Sequence, residues 1–240
     1  FALMLYPMVE AETGADAGLS PRQWRELGAV VGQVHATPLT GELIRLVGRE
    51  AFRPTRRELI AELEVLIAAG RPGDPAAEAL ATCWRARQGV IRALVERVDA
   101  LGRQLERESL PQVLCHADLH TWNVLVDTGQ RLWIVDWDEA ILAPKERDLM
   151  FVVGGIVGGL VQPRDTERFF QGYGDVTIDR RLLAYYRHAW AVQDIAAFAE
   201  RALLRPKLDA ATRLAAVDGF RRLFVPGNIV DLALASPAPG

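Results

Sequence analysis

The sequence predicts a predominantly helical α+β fold with a small central β-hairpin. Two observations carry that expectation: apolar residues recur at helical spacing through most of the chain, and β-type runs are confined to its opening and to residues 113–137. A third sets the scale. With 240 residues, half of them apolar and a quarter charged, the chain can build a sizeable core in one or two compact units.

The opening run "FALMLYPMVE" reads as an apolar strand, and residues 11–19 as a polar loop. Ser20-Pro21-Arg22-Gln23 then supplies an N-cap, a proline at the first helical position and a capping-box glutamine, so a helix starts there. Trp24, Leu27, Val31 and Val34 form its core-facing stripe, which ends near Ala36, ahead of Pro38. A second helix is expected over 56–69. After the break "GRPGDP" a long one is expected over 75–107, with Trp84, Ile91, Leu94, Val98, Leu101 and Leu105 on one side. "VLCH", "NVLV" and "RLWIVDW" are short β runs, the last two joined by the turn Asp127-Thr128-Gly129-Gln130. Helices follow over 148–160, 165–172, 180–203 and 208–224.

Composition excludes several function classes. A net charge of −3 without a basic cluster gives no bulk attraction for nucleic acid or an anionic membrane. The apolar run 149–161 is too short to span a bilayer and contains two Gly-Gly pairs; it reads as a buried helix or helix end. Cys83 and Cys115 lack a paired spacing and fit a reduced, cytoplasmic compartment. No export signal is read at the start.

Polar residues gather at the ends of the β runs: Asp118 and Asn123 before the hairpin, Asp136 and Asp138 after it. A hairpin returns its second strand beside its first, so Asn123 and Asp136 are expected to be neighbours. Oxygen donors without cysteine suit Mg²⁺, which keeps several waters and is shared with substrate phosphates. Taken singly, these residues are ordinary turn formers at strand ends. Their intervals argue otherwise, because a carboxylate five residues before an asparagine, with another carboxylate thirteen residues on, matches the phosphoryl-transfer constellation of the kinase fold. In it Asp118 would accept or orient the proton of an attacking hydroxyl, and Asn123 and Asp136 would hold magnesium against nucleotide phosphates. Zinc at His116 and His120 is disfavoured, since Ala117 stands where a metalloprotease has glutamate. A Cys115–His116 dyad is disfavoured because adjacent strand residues face opposite ways.

"HADLHTWN" followed by "IVDWDEAILAPKERDL" resembles the catalytic and magnesium motifs of the aminoglycoside phosphotransferase and choline kinase family, small-molecule relatives of the protein kinases. "LCHADLH", "VDWDE" and "APKERDLMF" are most similar to its spectinomycin phosphotransferase branch, and weaker similarity runs from "LYPMVE" through "YYRHAW" and "QDIAAFAE". The resemblance implies the carboxyl-terminal lobe of a protein-kinase-like fold. Residues 1–19 would be hinge strand and linker, and 20–240 a helical lobe with catalytic loop 116–123 and metal-binding segment 134–139. It implies Asp118 as catalytic base or orienter, Asn123 and Asp136 as metal ligands, and the main chain of Tyr6 and Met8 as the hinge that bonds adenine of ATP. His116 and Asp148 would be structural supports of the loop. His120 stands where relatives carry a lysine facing the transferred phosphate, and is expected to donate a hydrogen bond there. Ala117 and Trp137 depart from the protein-kinase pattern, so control by phosphorylation is not expected.

The same resemblance implies ATP- and Mg²⁺-dependent transfer to a hydroxyl of a small cationic acceptor, an aminocyclitol or aminoglycoside antibiotic, and hence antibiotic resistance. A metabolite such as choline, homoserine or a sugar is the alternative acceptor. Asp138, Glu139 and Asp194, with Glu200, are candidate carboxylates for ammonium groups of the acceptor. Tyr185, Tyr186, His188 and Trp190 are candidate pocket walls. The chain lacks a glycine-rich turn before residue 20, and its lysines are Lys145 and Lys207. An amino-terminal nucleotide lobe is therefore expected to be missing from this stretch, which alone would bind acceptor without turnover.

Overall fold

The computed structural model describes residues 8–156, 159–205 and 207–236. In chain order its elements are β1 (Ala11–Thr13), α1 (Gly14–Ala17), α2 (Pro21–His35), α3 (Gly41–Leu46), β2 (Gly48–Arg49), α4 (Arg57–Ala69), α5 (Pro75–Arg85) and α6 (Gln88–Leu105). Then come β3 (Val113–Cys115), a 3₁₀ turn (Thr121–Asn123), β4 (Val124–Asp127), β5 (Leu132–Ile134), β6 (Ile141–Ala143) and α7 (Glu146–Leu149). The chain closes with α8 (Pro163–Tyr173), α9 (Arg180–Leu203), α10 (Ala210–Arg222) and α11 (Ile229–Leu234). The predominantly helical α+β expectation holds. These elements form two compact units.

The first unit takes residues up to 49, 112–155 and 160–177. Its scaffold is α2 packed on α8. Ser20 and Gln23 close a reciprocal capping box at the start of α2, and Trp24, Leu27 and Val31 are buried along it. Two glycines set the helix approach: a Cβ on Gly28 would collide with the Phe169 carbonyl, and one on Gly172 with the Arg25 carbonyl. Beside the helices lie two three-stranded sheets, ordered β1-β4-β5 and β2-β6-β3. The expected hairpin is β4–β5, antiparallel with Val124 opposite Ile134. Its turn is held by the Asp127 carboxylate, which accepts from the Arg131 amide at 3.0 Å, Arg131 Nε at 2.8 Å and Trp133 Nε1 at 3.1 Å.

The second unit takes residues 50–111, 156–159 and 178 onward. α9 is its axis, with α4, α5, α6, α10 and α11 packed around it. Ala184, Ala191, Ala196, Ala199 and Ala202 are buried along α9, small side chains that admit close neighbours. Tyr185, Tyr186, His188 and Trp190 are buried there too, in the core of this unit. His188 donates from Nδ1 to the Ala184 carbonyl at 2.8 Å, and burial lowers its pKa.

Several expected elements are corrected. Residues 1–7 of the opening strand lie outside the described residues, and 8–10 form no strand. Strand pairing begins at Ala11, in the stretch read as a loop, because β1 finds its partner more than a hundred residues later in β4. The helix expected over 75–107 is two helices, broken at Ala86–Arg87, which lets α5 pack on α10 and α6 on α9. The helix expected over 148–160 stops at Leu149. Beyond it Gly154 and Gly155 take φ of 79° and 69°, a left-handed backbone that no helix accommodates.

Candidate active site

Asp148, buried in α7, anchors the segment that carries Asp118. Its Oδ2 accepts from the His116 amide at 2.9 Å and its Oδ1 from the Ala117 amide at 2.7 Å. Ala117 has φ 69°, a conformation costly for a residue with a Cβ, and the two bonds to Asp148 hold it there. From the other side the His116 ring spans the loop: Nε2 donates to the Val135 carbonyl at 2.8 Å, and Nδ1 accepts from the Asp118 amide at 3.2 Å. Both ring nitrogens are thereby used, which fixes the Nε2–H tautomer and leaves neither free for zinc. The Trp137 ring packs edge-on against His116 at 4.7 Å and donates Nε1–H to the Ile134 carbonyl at 3.0 Å.

The loop places Asp118 and Asn123 in direct contact. Asn123 Nδ2 donates to the Asp118 main-chain oxygen at 2.9 Å and to Asp118 Oδ2 at 3.0 Å. Asp118 Oδ1 is buried without a hydrogen-bond partner. His120 Nε2 stands 3.3 Å from that oxygen, close enough for an electrostatic contact but not aligned as a hydrogen bond, and His120 Nδ1 is also buried without a partner. The His120 ring lies edge-on to Trp122 at 5.6 Å and to Phe151 at 6.1 Å. Trp122 is 39% exposed.

Asp136 follows the hairpin, and the Val135 amide donates to the Asn123 carbonyl at 3.0 Å, so the main chain brings residues 123 and 135 together. Asp136 is exposed, with φ 65°. Since Asn123 donates from Nδ2 to Asp118, its carboxamide oxygen is left as an acceptor; no protein donor to it or to the Asp136 carboxylate is found among the described residues. A carboxamide oxygen and a carboxylate, each without a protein donor, are hard-oxygen groups of the kind that suits Mg²⁺. Asp138 and Glu139 are exposed at the centre of the turn closed by the Ala140 amide on the Trp137 carbonyl.

The remaining candidates fall elsewhere. Met8 is 96% exposed, and Tyr6 lies outside the described residues. Asp194 belongs to the second unit, where it lines a cavity of about 710 Å³ with Phe198, Arg201 and Lys207. Glu200 at that cavity is already paired with Arg56 and, at 2.6 Å, with Arg205.

His35 is the residue that sequence reasoning missed. Its Nε2 lies 3.0 Å from Asp148 Oδ2 and its Nδ1 2.8 Å from the Tyr173 hydroxyl. The signal was present: His35 stands four residues after Val31, on the buried face of α2. With Cys115 it forms a group around Asp148 whose ligand atoms lie within 4.8 Å of one another. This group is a brace. Asp148 is occupied by two amides and His35, and the Cys115 thiol, its pKa pushed well up by burial, lies 3.6 Å from the Ala143 and Pro144 carbonyls.

Comparison with known proteins identifies the family and the fold. A family model described as the phosphotransferase enzyme family matches residues 1–186. The structure is similar to spectinomycin phosphotransferase APH(9)-Ia in complex with ADP and spectinomycin: 33% identity, 96% of this chain and 70% of that one, TM-score 0.86. The AMP-bound complex of the same enzyme gives 33% identity, 97% and 72% coverage and a TM-score of 0.85. The GDP and kanamycin complex of APH(2")-IIia, 15% identical over 90% of this chain and 68% of that one at a TM-score of 0.52, shares the fold. A comparison with curated protein sequences gives no match. Matched by the family model over most of its length, and by a solved enzyme at 33% identity over 96% of it, the chain belongs to the phosphotransferase enzyme family, whose members here are small-molecule kinases.

Proposed function

We propose that the protein transfers the γ-phosphoryl group of ATP, with Mg²⁺, to a hydroxyl of a small cationic acceptor of the aminocyclitol or aminoglycoside class, spectinomycin foremost, and so confers antibiotic resistance. The observation that carries this reading is the Asp118–Asn123 pair: one carboxylate oxygen oriented by the carboxamide, the other buried without a hydrogen-bond partner, 3.3 Å from His120 Nε2. In this reading the free Oδ1 of Asp118 receives or orients the proton of the attacking hydroxyl. Asn123 and Asp136 hold magnesium, which when bound neutralises charge on the phosphates. His120 donates a hydrogen bond to the transferred group. His116 and Asp148 keep the loop in its strained register.

Asp138 and Glu139, exposed beside Asp136, are proposed to meet ammonium groups of the acceptor. Asp194, on α9 of the second unit, is proposed separately as a carboxylate for such a group. Met8 and Tyr6 are proposed as hinge contacts to adenine. The identity to the spectinomycin enzyme supports the acceptor class. The test is phosphate transfer from ATP to spectinomycin by the full-length protein, assayed beside choline, homoserine and sugars. Transfer to spectinomycin alone supports the reading, and transfer only to a metabolite replaces the acceptor.

A second reading rests on the residue content. Lysine occurs only at 145 and 207, neither on a strand that could pair with a helix glutamate over the phosphates. The 240 residues by themselves would then bind acceptor without turnover, and calorimetry with spectinomycin in parallel with the transfer assay distinguishes the two.

A further inference from the structure

α8 reaches the catalytic loop through two side chains outside the set just described. Tyr173, the last residue of α8, lies 2.8 Å through its hydroxyl from Nδ1 of His35, the last residue of α2. His35 Nε2 lies 3.0 Å from Asp148 Oδ2. Asp148 accepts here: its two oxygens already receive the amides of His116 and Ala117. Nε2 is therefore the nitrogen that donates to the carboxylate, and an imidazole carrying its single proton there would keep a lone pair on Nδ1. The Tyr173 hydroxyl is the donor that satisfies it, and burial pushes its pKa up to about 12, so it remains protonated. The geometry is built rather than incidental. Tyr173 stacks on Phe169 at 5.6 Å and meets His35 edge-on at 5.6 Å, and the Gly28 and Gly172 crossing brings the two helix backbones close enough for the bond.

We propose that Tyr173 is a positioning residue for phosphoryl transfer: its hydroxyl fixes the tautomer of His35, which through Asp148 holds the amides of His116 and Ala117 and thereby the carboxylate of Asp118. The kinetic part rests on the reading of Asp118 given above; the hydrogen-bond part does not. Without the hydroxyl, Nδ1 is left as a bare lone pair. Alternatively the proton moves to Nδ1, and Nε2 turns a lone pair on the Asp148 carboxylate. Either outcome loosens the hold on residues 116 and 117.

The test is Tyr173→Phe in the full-length protein, read by ¹⁵N NMR of the His35 ring, amide exchange at His116 and Ala117, and steady-state kinetics. The ¹⁵N signals of the His35 ring should move from their wild-type values. Exchange at both amides should speed up by about tenfold or more, and kcat should fall by about tenfold with both KM values within about twofold. Phe170→Leu is the control, since its ring also lies against Tyr173, at 6.0 Å, but carries no polar atom. It should lower the melting temperature without accelerating exchange at 116 and 117. Unchanged ring shifts and exchange in Tyr173→Phe would overturn the proposal, as would equal effects from Phe170→Leu. In the wild-type protein, His35 should show a protonated Nε2 and an unprotonated Nδ1, and the reverse pattern overturns the proposal even if Tyr173→Phe does not fold. If the wild-type protein phosphorylates no acceptor, the reading of Asp118 fails, while the ring shifts and amide exchange still decide the relay.

Discussion

Asn123 donates from one carboxamide nitrogen to both the main-chain oxygen and the Oδ2 of Asp118, at 2.9 and 3.0 Å. The asparagine is thus the orienter of the aspartate as well as a candidate magnesium ligand. Two variants separate those roles. Asn123→Ala removes both, and the Mg²⁺ concentration for half-maximal transfer should rise by more than about tenfold, the lower end of what loss of even an outer partner costs a metal site. Asn123→Asp keeps an oxygen for the metal but sets a second carboxylate against Asp118, so transfer should remain low even at saturating Mg²⁺. Recovery of the wild-type rate by Asn123→Asp would remove the orienting role.

Asp148→Ala should unfold at a markedly lower denaturant concentration. It strands the buried amides of His116 and Ala117 and the His35 ring at once, and at about 1–3 kcal/mol for each unsatisfied buried donor the loss should be roughly 3 kcal/mol or more. Chemical denaturation gives the value. A loss of under about 1 kcal/mol, within the range of an ordinary surface change, would mean that Asp148 is not the anchor.

Gly172→Ala places a Cβ into the Arg25 carbonyl, which is backbone and cannot swing aside. Overpacking of this kind costs about 1–3 kcal/mol or more, and the melting temperature should fall accordingly. Gly89→Ala, inside α6 where a Cβ would meet nothing within 4 Å, should leave the melting temperature unchanged or raise it slightly. A drop for Gly172→Ala no larger than for Gly89→Ala would count against the tight α2–α8 crossing.

The hairpin turn carries an acid sensitivity. The bond from the Arg131 amide, with those from the Trp133 indole and the Arg131 guanidinium, lowers the Asp127 pKa from 3.8 to about 2. A folded pKa below the unfolded one contributes stability above the unfolded value, and that contribution is lost as pH falls from about 4 through about 2. Carboxyl ¹³C titration should find Asp127 ionised at pH 3, and in Asp127→Asn the hairpin should lose this pH dependence.

Much of this molecule was legible where structure is local. The Ser20–Gln23 capping box, the β4–β5 turn and the span of α9 each follow from residues within one element, and the structure has all three. The triplet Asp118, Asn123 and Asp136 was legible as a pattern because its intervals are set by one loop and one hairpin. What escaped depends on distant partners. β1 becomes a strand only against β4, and the two residues of β2 only beside β6. The break at Ala86–Arg87 has neither glycine nor proline to announce it, because diverging packing partners set it. His35 and Tyr173 meet only because two glycines far apart in sequence bring their helices together.

The most direct measurement is the rate of phosphate transfer from ATP to spectinomycin by the full-length protein and its Asp118→Ala variant at saturating Mg²⁺. The account predicts measurable transfer by the wild-type protein and a loss of about 10²–10⁴ in kcat for the variant, with amide exchange elsewhere in the loop unchanged. Transfer by Asp118→Ala at the wild-type rate would contradict it.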